Sequence, residues 1–228
     1  MNPTQQIRNN EKRLISAACV LSLATPVVCW MLAIGIGGLP IWIPFVSDLH
    51  LFEPAKTLFP LGMTIAALMF VMVIPGLHRN LRVYTKETGF GKEFFPALFS
   101  TFLFFAAFSS VIASHVTWSV APRIHYFAAT GLFLFMICGI ALFEYVRSMG
   151  DLQKVNRLRF ATIVFGGILL LVLGVLSLNL NVLPQDIRYG NLADRPWAMT
   201  IAALVEWILV VDLALMMSSM RSEFDSTQ

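Results

Sequence analysis

Five residues in an otherwise apolar chain have types that could do chemistry: Ser47, Asp48, His115, His125 and Glu206. A hydroxyl, a carboxylate and imidazoles are the parts from which general acid–base and nucleophilic sites are built. They are equally the parts that hold the polar headgroup of a lipid. Glu206 has the most demanding position. It lies in the apolar run 195–224, about nine residues after Trp197, which is roughly 14 Å along a helix. An acid that deep in a bilayer costs on the order of a few kcal/mol, so it must face protein. The rest of the chain has to supply what it faces.

The 228 residues are 57% hydrophobic and 13% charged, with a mean hydropathy of +0.75. A water-soluble domain carries about twice that charge fraction. The composition therefore implies an all-α, polytopic membrane protein rather than a soluble enzyme. No charge run points to nucleic acid, and membrane lipids are the expected partners. Cys19, Cys29 and Cys138 lie in apolar stretches without CxxC spacing and read as inert buried thiols. No zinc or cofactor motif is present, so neither a metal nor a cofactor is expected.

Six segments are long enough to span a bilayer, at approximately 14–36, 58–77, 94–116, 124–146, 160–180 and 197–220, forming one domain. The first follows a polar start and is too long for a signal-peptide core, so it reads as a retained helix. Twelve of the 16 Lys and Arg fall on the side of both termini and four on the other. The positive-inside rule then makes both termini cytoplasmic.

The first outside connection, GLPIWIPFVSDLHLFEPAK, is too apolar for a free loop and too rich in proline for a helix. It is expected in the outer interface, with Trp42 and Phe45 among headgroups and Asp48, His50 and Glu53 exposed to a polar pocket. A short turn between the third and fourth helices can bring His115 and His125 to the same rim. Glu144 is expected to reach the inner interface, there either snorkelling or forming an ion pair, with Arg147 as a candidate partner. Asp212 is rotated about 120° from Glu206 and shares no face with it. Residues 181–196, with Asp186, Arg188, Asp194 and Arg195, read as a polar outer lid.

Three stretches together resemble the Frag/DRAM/Sfk family. Pro44-Phe45-Val46-Ser47-Asp48, followed by Pro54 and Phe59, is similar to its Pro-Phe-Ile-Ser-Asp signature. Ile124-His125 followed by Phe133 is similar to its Val-His stretch. Glu206-Trp207 and the late Glu223-Phe224 match its last helix. The chain departs from the pattern at Leu49 and at Leu61-Gly62. The resemblance covers essentially the whole chain and implies lipid-linked biology on the non-cytoplasmic side. Relatives include damage-regulated autophagy modulators, proteins that remodel glycosylphosphatidylinositol (GPI) anchor lipids, and a yeast branch acting on plasma-membrane phospholipids. The resemblance does not separate plasma membrane from endomembrane.

Three functions are compatible with these residues. The first is a non-catalytic lipid-handling or regulatory protein, with Asp48 and His125 at a headgroup and Glu206 in the pocket wall. The second is an intramembrane lipid-remodelling hydrolase or acyl transferase, with Ser47 as nucleophile, His125 or His115 as base and Asp48 orienting it. It lacks a GxSxG elbow or an HExxH site. The third is a small-solute transporter, which a midplane acid and helix prolines allow.

Overall fold

The computed structural model describes residues 3–36, 43–89, 91, 93–149, 156–180 and 197–224. Among these, the chain is helical and contains no strand. The helices are α1 (Pro3–Gly35), α2 (Ala55–Thr88), α3 (Phe94–His115), α4 (Pro122–Met149), α5 (Arg157–Leu180) and α6 (Trp197–Ser219). Short 3-10 helices follow α1, at Val46–Leu51, and α6, at Met220–Phe224. All six α-helices are long and apolar enough to cross a membrane. The expected lid of residues 181–196 and Trp42 lie outside the described residues.

α1 and α2 extend well past their apolar runs. α1 begins at Pro3, ahead of the hydrophobic stretch, and α2 continues to Thr88, where Gly89 at φ 72° provides the left-handed cap. Both polar extensions are stabilised by packing against each other rather than by lipid. Glu11 of α1 lies directly over Gly76 of α2, where a β-carbon would collide with the carboxylate, and it pairs with Arg79 at 2.6 Å. A larger residue at that position would have to displace the Glu11 carboxylate from its place beside Arg79.

The helices do not share the lipid contact equally. Of the apolar window in α6, 61% is enclosed by protein, against 17% in α5. The last helix is thus the central one, and α5 hangs on the rim against α4 and α6. On α3, Phe99 and Leu103 are fully buried while Phe104, Phe105 and Phe108 are exposed. Its phenylalanines therefore divide between packing and the lipid-facing surface.

At the end that holds the termini, a neutral cluster of two arginines and two glutamates ties four helices together. Arg159 of α5 is fully buried and pairs with Glu144 of α4. It also donates to Glu223 at 2.7 Å and to the Ser219 carbonyl at 2.9 Å. Its guanidinium sits 5.2 Å over the Phe143 ring. Arg147 bridges the same two acids, at 3.5 Å from Glu144 and 3.3 Å from Glu223. Tyr84 Oη and Asn80 Nδ2 of α2 donate to the Glu223 side chain and carbonyl, at 3.2 and 3.0 Å. The candidate Glu144–Arg147 pair is present, inside a larger network.

Removing one member of such a network leaves buried charge unbalanced, which typically costs about 3–5 kcal/mol. Arg159→Leu is expected to lower the thermal unfolding midpoint of the purified protein sharply. Adding Glu144→Gln alone to that variant leaves Arg147 balanced by Glu223 and should recover most of the loss. No recovery would show that Arg159 acts through packing alone.

Candidate functional site

The 3-10 segment Val46–Leu51 is drawn into the bundle instead of lying on it. Val46, Asp48, Leu49 and His50 are all buried, and Phe45 packs on Met199, Ala202 and Ala203 of α6. This corrects the expectation that Phe45 sits among headgroups and that Asp48 and His50 are exposed; Asp48 is 1% and His50 3% accessible. Only Glu53 is open to its surroundings, where it pairs loosely with Lys56. The reason lies in the segment's sequence. Val46 and Leu49 are apolar and pack into the main core beside Phe59, carrying the intervening Asp48 inward.

Backbone that is not helical can sit at membrane depth only if protein satisfies its polar groups. Pro44 has no N–H to satisfy, and its carbonyl accepts from Trp207 Nε1 at 2.9 Å. The Val46 N–H donates to Glu206 Oε2 at 2.8 Å. The Asp48 N–H turns back on the Phe45 carbonyl at 3.1 Å. Two adjacent residues of α6 therefore clamp the buried segment, and Trp207 is braced by Trp30 of α1 at a 5.6 Å ring separation. Glu206, the deep acid, has as its visible task an acceptor role towards backbone.

The clamp places His50 next to His125 and within electrostatic reach of His115. The His50 and His125 ring centroids are 6.4 Å apart, and His50 stacks on Phe59 at 6.2 Å. The α3–α4 turn supplies the other two rings, as the spacing of His115 and His125 implies. His125 is buried with Nδ1 2.7 Å from the Val116 carbonyl. A carbonyl can only accept, so Nδ1 carries the proton. His115 is exposed at the rim, with Nε2 3.0 Å from Thr64 Oγ1. Ser47 is half-buried on the same 3-10 turn and makes no hydrogen bond to any of these rings among the described residues.

His50 is the member that sequence reasoning set aside, and it is the least satisfied. Neither ring nitrogen has a hydrogen-bond partner among the described residues. Burial pushes its pKa down to about 4; Asp48 opposes the shift, and His125 and His115 add to it. The ring is therefore neutral at pH 7, with one donor and one acceptor to offer. Its sequence signal was its place two residues after Asp48, where a residue types the same whether it faces solvent or protein.

The chain matches the family model described as the Frag1/DRAM/Sfk1/Cwh43P N-terminal domain over residues 12–227, and it belongs to that family. No curated protein and no solved structure matches it. The three stretches that carried the resemblance meet in space or close the same bundle. Pro44–Asp48 docks on Glu206-Trp207, His125 faces His50, and Glu223 anchors the opposite end.

Glu206→Leu is expected to strand the Val46 N–H and cost about 1–3 kcal/mol, whereas Glu206→Gln keeps an acceptor and should unfold close to the parent. Equal loss in both, measured by thermal unfolding, would assign Glu206 a role other than accepting that bond. His50 makes a pH prediction. Its folded pKa lies below the ordinary 6.5, so the unfolded state binds the extra proton first. Stability is then full above pH 6.5, falls as pH drops towards 4, and loses up to ~3 kcal/mol in that window. His50→Leu should flatten that part of the pH–stability curve.

Proposed function

We propose that this membrane protein holds a lipid by its polar headgroup at the end of the bundle occupied by Val46–Leu51, without chemical turnover. The supporting observation is His50: a buried imidazole with both nitrogens unsatisfied, beside Asp48 and His125 and within electrostatic reach of the exposed His115. An unsatisfied buried polar group costs roughly 1–3 kcal/mol, so such a ring is maintained where a ligand completes it. A neutral imidazole supplies one donor and one acceptor, which suits a hydroxyl or phosphate group that can do the reverse. On the positive-inside reading, this end faces away from the cytoplasm. There, headgroups of the outer leaflet lie at the level of His115, and a headgroup reaching past it meets His50. Glu206 and Trp207 serve by fixing the segment that carries Ser47, Asp48 and His50.

The remodelling-enzyme reading shares the same residues, with His125 as its general base. It ranks second because Ser47 is not hydrogen-bonded to that ring.

The test is mass spectrometry of lipids retained by the purified protein, before and after incubation with mixed phospholipids and a GPI-type glycolipid. One lipid class should be enriched, unchanged with time, and at least tenfold depleted in His50→Leu. Accumulating lyso-lipid or a newly acylated product would replace binding with catalysis. The same lipids at the same level in parent and His50→Leu would remove the site altogether.

A further inference from the structure

A second buried polar group without a hydrogen-bond partner among the described residues lies on α6. Asp212 of α6 is 3% accessible, and its Oδ2 is buried with no hydrogen-bond partner among the described residues. It is turned towards α5, where it lies against Gly166; a β-carbon at that glycine would run into the carboxylate. The helix therefore leaves space for the acid without giving it a donor. The Thr162 hydroxyl, one turn away, already donates to the Arg159 carbonyl at 2.9 Å.

Asp212 forms part of a groove of about 200 Å³ between α5 and α6. Ala161, Thr162 and Phe165 line one side, and Ile208, Val211 and Leu215 the other. The groove opens on the least enclosed helix of the bundle, whose outer residues Val164, Ile168, Leu171 and Val175 are exposed. An apolar groove with one acid in its wall requires an occupant that is apolar except for a single hydrogen-bond donor.

Depth decides between the two sources of such a donor. Asp212 lies seven residues from Ser219, roughly 10 Å along the helix from its end. Hydroxyls, amides and amines of lipid headgroups stay near the interface, whereas a side chain on a spanning helix can be placed at any depth. Polar pairing between helices is also how bundles associate where lipid removes the hydrophobic driving force.

We propose that the α5–α6 groove docks a membrane-spanning helix of another protein that carries a hydrogen-bond donor side chain, a lysine or a carboxamide, level with Asp212. The site is independent of the His50 cluster. The exposed face of α5 receives the rest of the helix.

The test reconstitutes the full chain in phosphatidylcholine liposomes and measures energy transfer to a synthetic Leu/Ala helix of about 23 residues. One peptide carries a single lysine at the level of Asp212, a second carries it two turns away, and a third carries none. The first should bind at least tenfold more tightly than the others. That preference should vanish in Asp212→Leu and in Ala161→Trp, which fills the groove from its exposed side while leaving the acid in place. Equal binding of the three peptides overturns the proposal, as does a lysine preference that survives Ala161→Trp. A phospholipid retained in native mass spectra of the parent, lost in Ala161→Trp, and undisplaced by the lysine peptide would assign the groove to lipid. Energy transfer between copies of the chain, abolished by Ala161→Trp, would assign it to self-association.

Discussion

The hydrogen bond from the Val46 N–H to Glu206 and its neighbour from Trp207 to the Pro44 carbonyl decide where everything else at that end can be. A proline-rich, non-helical strand of chain cannot enter a bilayer with its peptide groups bare. Two side chains on consecutive residues of α6 remove that obstacle. They point in different directions around the helix, so together they fix both position and tilt of the segment. Asp48 and His50 are buried because the backbone they ride on has been made acceptable inside the bundle.

The opposite end uses a different solution to a similar problem. There the groups brought inside are charges, and they are balanced in place: Arg147 and Arg159 against Glu144 and Glu223. A neutral, mutually hydrogen-bonded set adds little net stability over an apolar core of the same volume, yet it tolerates no missing member. Both ends therefore converge on α6 and the short helix that follows it. That explains why the last helix is the most enclosed although its sequence is as apolar as that of the exposed α5.

Helix number was legible because about 20 consecutive apolar residues have few other uses. The placement of His115 and His125 at the two ends of one short α3–α4 connection was legible from spacing alone. Other features were not. VSDLHL has the composition of an amphipathic interfacial turn, and nothing in it reveals that Leu49 and Val46 find a core to enter. Arg159 counted as one more positive charge at a membrane edge. Only the separately noted acids, Glu144 and Glu223, required a buried cation, and no local pattern says which arginine answers. Angular position correctly separated Asp212 from Glu206, but what Asp212 faces depends on a glycine on another helix.

The clamp joins positions 160 and 163 residues apart along the chain. During synthesis, the Pro44–Leu51 segment emerges long before α6 exists to receive it. Until the final span is inserted, the Val46 N–H and the Pro44 carbonyl lack their α6 partners, and the segment must wait in water or at the interface. Formation of the His50 site is consequently a late event, made dependent on completion of the chain. A ribosome that stalls before α6 leaves a five-span intermediate with an unburied, aggregation-prone apolar loop, the kind of species quality control in a membrane removes.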